Sequence, residues 1–426
     1  MNISITKKKK IFYGWWVVAG GFVLLFLFAG AGFYSFSIFI KPLEESFGWS
    51  RSAISFAMSI YMLVHGVVGP FVGYLIGKYG VKKVLTFFAI GSGAAFISIS
   101  YTSSLWYFYG AYALLSLMTT GIGFIPVSSV LTRWFIKRRG TAIGITMVGI
   151  SVGGLVMSPV VGMINSYAGW RISFVCLGIM VWVLALPITL FVIKGSPSDL
   201  GLSADGEGSD AIADLLATSE KTDLPLFPEE EGWPLRSAIR SRAFRWIAAT
   251  FFLAPLAQMG VLQHQVPLIM EVGISQATAA TALGFTAGLG GLGKLSFGRI
   301  SELIPFRYSA LLCFGLQAFG VFVLLSANSV AMVWAHVLIF GFAMGGVIVL
   351  LPIVIGQFFG LVAFGIIMGI ISLAQAVGCA VGAYLSGIIY DYFGSYQYAL
   401  VIYIGSYLFS ILTIFLAGKP KTYVQR

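Results

Sequence analysis

The sequence predicts an all-α membrane protein with twelve transmembrane helices, arranged as two six-helix halves. Hydrophobic residues make up 58% of the 426-residue chain and charged residues only 10%, whereas soluble domains carry about 25% charged residues. Long apolar segments recur along the chain, and matching residues recur in its two halves at a constant spacing. So few charges cannot cover the surface of a water-soluble protein of this length.

Apolar segments of the length that crosses a bilayer, roughly 20 residues, predict the positions of the helices. The first six fall near 15–40, 53–76, 84–101, 105–130, 141–165 and 171–193. The last six fall near 244–270, 277–300, 308–327, 331–356, 362–389 and 396–417. The first segment lacks the short core and cleavage pattern of a secretory signal peptide, so we expect it to remain as a span.

The distribution of lysine and arginine predicts the orientation of these helices. With both termini placed in the cytoplasm, all but four of the 26 basic residues lie in cytoplasmic segments. Lys41, Arg51 and Arg171 lie in outside loops, and Lys294 lies within a span. This asymmetry follows the positive-inside rule and predicts a multi-pass protein of the cell inner membrane. Contact with anionic lipid accounts for the net charge of +11, so nucleic-acid binding is not expected.

A polar segment separates the two halves. It contains SPSDLGLSADGEGSD and PLFPEEEGW, whose low hydrophobicity is typical of a flexible linker, here with room for a short surface helix. The predicted organisation is a six-helix bundle at 1–193, a cytoplasmic linker at 194–243 and a second six-helix bundle at 244–426.

The two halves match at a constant offset of 225 residues. Gly153 pairs with Gly378 and Tyr167 with Tyr392, and further pairs are Gly73 with Gly298, Gly140 with Gly365, Gly144 with Gly369, Gly162 with Gly387 and Gly169 with Gly394. Duplication of a six-helix unit would leave such a register. Two parallel six-helix repeats are the architecture of the major facilitator transporters, whose substrate site lies near mid-membrane between the halves.

The segments GYLIGKYGVKK (73–83) and GRISELIPFR (298–307) resemble the loops of that superfamily that latch the two halves on the cytoplasmic side. The acidic residue of the family pattern is replaced by Gly77 in the first segment and retained as Glu302 in the second. The resemblance implies a gating loop formed by Gly73, Lys82, Lys83, Gly298, Glu302 and Arg307.

Five further segments resemble the monocarboxylate porter branch of the superfamily. They are YGWWVV (13–18), FSIFIKPLEESFGWSRSAIS (36–55), RWFIKRRGTAIGI (133–145), SVGGLVMSPVVG (151–162) and HQVPLIMEVGIS (264–275). The resemblance implies transport of a small carboxylate such as lactate or pyruvate, together with a proton. A related family exchanges oxalate for formate.

Lys294 is the charge that lies well inside a predicted span, where charges are costly and usually functional. Its neighbours three and four residues away include Gly290, Gly291 and Gly298, and such a stripe of small residues is expected to face other helices. The resemblance implies a cation at this position that meets the substrate carboxylate, although Arg is usual there. The alternative is a lysine that extends to the cytoplasmic interface.

Other candidate ligands are polar side chains in the predicted spans. Tyr34, Thr120, Gln263, His264 and Gln375 could each donate a hydrogen bond to a substrate, or could instead bond neighbouring helices.

Proton coupling requires a titratable group. In animal relatives an acidic residue precedes the span-eight cation and a lysine lies in span one, where this chain has Gly290 and Tyr34. We therefore predict His264 and Lys294 as the proton-coupling candidates. His65 and His336 are assigned to packing or interfacial positions.

Three functions remain open: a secondary transporter of a small monocarboxylate with a proton, an organic anion exchanger of the oxalate–formate type, and a non-transporting receptor. The resemblance places Ile371 where oxalate exchangers carry a second cation, which favours a monocarboxylate. The three cysteines show no metal-ligand spacing and no span shows paired carboxylates or a nucleophile–base pair. We expect no metal, no cofactor and no enzyme activity, lipid as a partner, and a functional monomer.

Overall fold

The computed structural model describes residues 12–136, 138–206, 233–360 and 363–418. The predicted basic termini and the middle of the predicted linker, 207–232, lie outside the described residues. The side chains of Arg139 and Glu302 are not described either.

Ten helices of the described chain are long and apolar enough to cross a membrane. One of them, Gly140–Val192, crosses twice, because the chain turns at Gly169, where φ is +81°. The glycine-rich helix Gln276–Leu303 completes a set of twelve crossings. The predicted all-α fold with twelve spans is confirmed.

Spans 1 to 4 are Gly14–Phe47, Arg51–Tyr79, Val81–Ser100 and Leu105–Trp134, and spans 5 and 6 are residues 140–168 and 170–192. Spans 7 to 12 are Arg242–Met270, Gln276–Leu303, Phe306–Leu325, Val330–Phe359, Phe364–Phe393 and Gln397–Leu416. Serine side chains cap the first turn of five of them and satisfy a free backbone N–H in each; these serines are Ser50, Ser104, Ser241, Ser275 and Ser329.

Span 1 is longer than predicted. It contains a π-helical segment, Phe28–Tyr34, and continues to Phe47, where Gly48 ends it with φ of +67°. Lys41, expected in an outside loop, therefore lies within a helix. The charged residues after Ile40 ended the hydropathy signal, yet Leu43 is buried in this last part of the helix.

The two ends of the bundle are distinguished by their contacts. At one end the Tyr13 hydroxyl donates to the Val192 carbonyl at 3.0 Å, and Trp134 Nε1 donates to the Lys194 carbonyl at 3.0 Å. The short helix Leu235–Arg240, which precedes span 7, lies at the same end. We call this end the linker end and the opposite one, where span 2 begins, the Arg51 end.

Equivalent helix contacts in the two halves agree with a duplicated unit. Gly153 of span 5 lies against the backbone carbonyl of Phe26 in span 1. Gly378 of span 11 lies against the backbone carbonyl of Phe252 in span 7 in the same way. The two glycines are separated by the predicted offset, and the two phenylalanines by one residue more. Small residues recur at these equivalent positions because two helix backbones approach closely there.

The two halves contact each other towards the Arg51 end and separate towards the linker end. Span 5 packs on span 8, where a Cβ at Gly162 would lie 2.6 Å from the Ala280 Cβ. Span 11 packs on span 2, where a Cβ at Gly387 would lie 2.6 Å from the Ser52 Cα. Closer to the linker end, a Cβ added to either helix meets no atom within 4 Å at Gly73, Gly77, Gly365 or Gly369. The space between the halves therefore opens to the linker end.

Candidate functional site

A cavity of about 290 Å³ lies between the two halves. Spans 1, 2 and 5 of the first half and spans 7, 8, 10 and 11 of the second half line it. Most of its lining side chains are apolar or aromatic, and the polar ones are Tyr34, Tyr61, His65, Gln258, Lys294 and Gln375. A few polar groups in an apolar wall are typical of small-molecule sites. No Asp or Glu of the described chain lines this cavity.

Lys294 is the basic side chain of the cavity lining in the described chain. Its Nζ donates a hydrogen bond to the Ser151 hydroxyl of span 5 at 3.1 Å, so the side chain points into the protein and not to the interface. Close packing allows this, since a Cβ on Gly291 would lie 2.9 Å from the Ser151 Cβ. An ammonium has three donors, and Lys294 has no ion-pair partner among the described residues. It therefore has donors left for an anion.

Tyr34 and Gln375 line the cavity where the sequence predicted substrate contacts. Tyr34 ends the π-helical segment of span 1 and is 5% exposed, with its ring against Gly154 of span 5. Gln375 belongs to span 11, one turn from Cys379, which also lines the cavity. Ile371 is fully buried and does not line it.

Three predicted ligands lie outside the cavity, which corrects their predicted placement. The Thr120 hydroxyl donates to the Ser116 carbonyl at 2.7 Å. Its oxygen also lies 2.9 Å from Nδ1 of His65, and Thr120 does not line the cavity. Gln263 is buried, and neither of its amide atoms has a hydrogen-bond partner among the described residues.

His264, the third of these, is fully buried at the Arg51 end. Its Nδ1 is 2.9 Å from the Tyr396 hydroxyl, and its Nε2 is 2.9 Å from both the Ser55 hydroxyl and the Ala383 carbonyl. It connects the two halves in this conformation. The face of span 7 that meets the cavity carries Pro255, Gln258, Met259 and Leu262, and apolarity alone did not distinguish that face in the sequence.

Three polar cavity residues were missed in the sequence. His65 was assigned to packing, and Tyr61 and Gln258 were not singled out. Gln258 is 9% exposed, and its Oε1 has no hydrogen-bond partner among the described residues. An unpaired buried acceptor of this kind favours a ligand that brings a donor. Gln258 lies three residues after Pro255 and four before Leu262, so the sequence places these three residues on one face of the helix.

The predicted gating loop is not assembled in this conformation. Gly73, Lys82 and Lys83 are exposed at the linker end, and no hydrogen bond or ion pair joins them to Gly298 or Arg307 among the described side chains. Nε and Nη2 of Arg307 are buried and have no hydrogen-bond partner among the described side chains. The side chain of Glu302 is not among them. An open linker end explains why the two loops do not meet.

A cluster of charges closes the Arg51 end, and we call it the Arg51 cluster. Arg51 is only 2% exposed. Its Nε lies 3.1 Å from Glu44 of its own half, and one Nη1 atom lies 3.2 Å from Glu271 and 2.9 Å from the Tyr396 hydroxyl of the other half. Asp391 accepts hydrogen bonds from the backbone N–H of Arg51 at 2.9 Å and of Ser52 at 2.8 Å. A carboxylate at a helix N-terminus stabilises the free N–H groups and the helix dipole.

Glu271 directly follows span 7, and its side chain is partly buried in the closed Arg51 end. Burial raises the pKa of Glu271 above its ordinary value, and the Arg51 guanidinium opposes this only in part. The closed Arg51 end therefore binds a proton at Glu271 more readily than a glutamate in water does.

Comparisons with known proteins agree with this architecture. Residues 22–363 match the sequence profile of the Major Facilitator Superfamily. The uncharacterized MFS-type transporter YcxA of Bacillus subtilis (strain 168) is 26% identical over 406 residues, which covers 89% of this chain and 90% of the relative. Monocarboxylate transporter 12 of Mus musculus is 23% identical over 421 residues, which covers 94% of this chain and 84% of the relative.

A solved structure shows the same fold. The bacterial homolog of the human lysosomal transporter Spinster, in an inward-facing and unoccupied conformation, matches with a TM-score of 0.73 and 14% identity, and covers 96% of both chains. These relatives are transporters and not enzymes. These similarities do not identify the substrate of this chain, so its substrate class is inferred from the chemistry of the cavity.

Proposed function

Since this chain belongs to the major facilitator superfamily, we propose that it is a secondary active transporter that moves a small monocarboxylate, such as lactate or pyruvate, together with a proton. The observation that carries this proposal is Lys294 in the cavity between the halves, with donors left for an anion and no carboxylate partner in the described chain. The similarity to monocarboxylate transporter 12 supports the same substrate class.

Charge compensation explains why a lysine suits this position. A carboxylate that leaves water for an apolar cavity loses its hydration, which costs several kcal/mol unless it is paired. A charge-assisted hydrogen bond from Lys294 Nζ offsets that cost. Lysine is a point charge, whereas arginine is a planar fork, so we expect looser orientation of the carboxylate and tolerance of several related acids.

The cavity favours one carboxylate over two. Lys294 is the single lysine or arginine that lines it within the described chain. Span 11 contributes Gln375 and Cys379 and no cation, and Ile371 is buried elsewhere. A dicarboxylate would place its second charge against apolar side chains, which is unfavourable.

The difference between the two ends of the bundle supports transport by alternating access. The halves are joined at the Arg51 end and apart at the linker end, so the cavity is open to one side. With the linker end in the cytoplasm of the cell, this is an inward-facing state. Transport requires the Arg51 cluster to open and the linker end to close as the halves rock around the bound substrate.

The Lys294–Ser151 hydrogen bond places the substrate site at a contact between the halves. It joins span 8 of one half to span 5 of the other. A carboxylate that accepts a hydrogen bond from one of the remaining Nζ donors therefore binds directly beside this contact.

Uptake of labelled lactate by proteoliposomes tests the proposal. We expect accumulation above the external concentration when the proton gradient is directed inwards, and only equilibration without it. Unlabelled pyruvate should compete and oxalate should not. Uptake that requires an internal organic anion and ignores the proton gradient would instead identify an exchanger. Absence of flux for every carboxylate tested would identify a non-transporting protein on this scaffold.

A further inference from the structure

His65 lies in the cavity on span 2, in the half opposite to Lys294. Its ring is half-buried, and Tyr61 and Met62 of the same helix line the cavity beside it. The ring of Phe28 lies 5.3 Å away by centroids, and the ring of Tyr61 is parallel to it at 6.5 Å. These contacts fix the plane of the imidazole.

The hydrogen bonds determine which nitrogen of His65 carries its proton. Nδ1 is 2.9 Å from Thr120 Oγ1. That hydroxyl uses its one hydrogen to donate to the Ser116 carbonyl at 2.7 Å. Oγ1 must therefore accept from His65, so Nδ1 bears the hydrogen of the neutral ring. Nε2 is left with its lone pair, and it has no hydrogen-bond partner among the described residues.

The surroundings of His65 respond to the charge of a bound anion. The titratable side chains that line the same cavity are Lys294 from span 8, Tyr34 from span 1, Tyr61 from span 2 and Cys379 from span 11. Span 4 meets the ring through Thr120, and spans 5, 7 and 10 add no titratable side chain to the described lining. With the cavity empty, the positive charge of Lys294 disfavours a second positive charge; a carboxylate bound to Lys294 removes that effect.

We infer that His65 takes up the coupled proton, at Nε2, when a carboxylate is bound at Lys294. This inference rests on the proposed function and assigns one residue to its proton. The proton binds the Nε2 lone pair, so Nε2–H becomes a donor that faces the cavity and the substrate. On release of the carboxylate the two positive charges repel, and Nε2 gives the proton to water on the linker side.

The charges balance for an electroneutral cycle. The empty cavity holds one positive charge, on Lys294. The loaded cavity holds Lys294, the carboxylate and protonated His65, which again sum to one positive charge. The halves therefore move the same net charge in both directions, and transport of one carboxylate with one proton does not depend on the membrane potential.

His65→Gln tests this assignment, with His336→Gln as the matched control because His336 lies outside the cavity and its described hydrogen bonds, to Gly320 and Gln265, lie within the second half. Lactate counterflow without a gradient measures binding and movement of the halves, and accumulation under a proton gradient measures coupling. We expect His65→Gln to retain counterflow within about threefold of wild type, given one lost polar contact of about 0.6 kcal/mol, and to lose accumulation. His336→Gln should retain both.

The dependence of lactate uptake on the membrane potential is a second readout. It would not change in His65→Gln if His65 had only a structural role. An inside-positive potential, set with potassium and valinomycin, should drive lactate uptake by His65→Gln and leave wild-type uptake unchanged. If His65→Gln loses counterflow, lactate binding to the purified variant is measured against pH. Binding that no longer varies with pH supports the inference, and wild-type pH dependence in the variant overturns it.

Thr120→Val probes the hydrogen bond behind the ring without altering His65. It removes the acceptor of Nδ1–H, so the pH midpoint of gradient-driven uptake should shift while accumulation persists. Gradient-driven accumulation by His65→Gln at the wild-type level overturns the inference alone. A wild-type protein that carries no carboxylate overturns the proposed function, and this inference with it.

Discussion

At the scale of single residues, the cavity combines one basic side chain with a few unpaired polar atoms. Lys294 provides the charge, and Gln258 provides a buried Oε1 that has no partner in the described chain. Because Gln258 is 9% exposed and lines the same cavity, we expect it to accept a hydrogen bond from a substrate hydroxyl. This distinguishes hydroxy acids from plain acids of the same size.

Substitution of Gln258 tests that role. Gln258→Leu should weaken lactate binding about fivefold, since one hydrogen bond contributes about 1 kcal/mol. Propionate has no hydroxyl and serves as the matched ligand, whose affinity should change little. Competition of each acid against labelled lactate measures both. Equal losses for lactate and propionate would show that Gln258 shapes the cavity without recognising the hydroxyl.

At the level of residues, the sequence indicates cavity positions most clearly where the chemistry is unusual. Lys294 stood out because a charge within a membrane span is costly, and Tyr34 and Gln375 also line the cavity. Thr120, Gln263 and His264 lie outside the cavity in this conformation, because spans that are apolar on all sides do not reveal which face meets the cavity. His65 was assigned to packing, since the Thr120 hydroxyl that accepts from its Nδ1–H lies 55 residues away in the sequence.

At the scale of helices and their ends, the Arg51 cluster holds the first half against the second. Arg51 lies at the first turn of span 2 and contacts Glu271 and Tyr396, which follow span 7 and precede span 12. Tyr390 of span 11 adds a cation–π contact at 3.5 Å. Sequence reasoning placed Arg51 in a loop, because a buried arginine with three partners from distant segments leaves no local pattern.

Arg51→Met should open the Arg51 end. Loss of one partner of a buried ion pair costs about 3 kcal/mol, the low end of the usual range, because Glu44 and Glu271 keep 29% and 35% exposure. A thiol probe at Ser59, which is 5% exposed and bonded to the Ala380 carbonyl at 2.6 Å, reports this opening. In a cysteine-free background, Ser59→Cys should be labelled faster when Arg51→Met is present.

Arg171→Met is the control for this experiment. Arg171 lies at the same end, but its described contacts, the Thr102 carbonyl at 3.2 Å and the Trp170 ring at 4.2 Å, belong to its own half. Its loss should leave labelling at position 59 unchanged. Equal labelling in all three backgrounds would contradict a closing function for Arg51.

The pH response of the Arg51 end follows from Glu271. Its pKa is raised in the closed end, so the closed end binds the proton more tightly than an open end in which Glu271 is in water. Closure is therefore favoured below the ordinary glutamate value of 4.5, and that advantage is lost as the pH rises through the raised pKa. Labelling of Ser59→Cys from this side should fall on acidification.

Glu271→Gln should remove this pH response, because the amide does not titrate and resembles the protonated carboxyl. Glu45→Gln is the matched control, since Glu45 is exposed on the neighbouring helix end. A response to pH that persists in Glu271→Gln would assign it to another group of the cluster.

At the scale of the whole molecule, the fold is two six-helix halves around a cavity that opens to one end. The sequence predicted the number of spans and the repeat, because membrane spans depend on average apolarity over roughly 20 residues and close helix contacts require small residues. It did not predict the conformational state, since the same interfaces must open and close during transport. That the linker end faces the cytoplasm is part of the proposed function, because it rests on the predicted orientation of the spans and not on the open linker end itself.

Lys294 is the residue that meets the substrate carboxylate in the proposed function, and the assignment of a carboxylate substrate rests on it above all. The decisive measurement is lactate counterflow in proteoliposomes that contain wild-type protein, Lys294→Ala or Lys294→Arg, with gel filtration as a check of folding. Lys294→Ala should lose at least about 30-fold in flux, because loss of one partner of a buried charge pair costs about 2 kcal/mol or more. Lys294→Arg, which keeps the charge, should retain part of the flux. Wild-type flux in a folded Lys294→Ala protein would contradict the account.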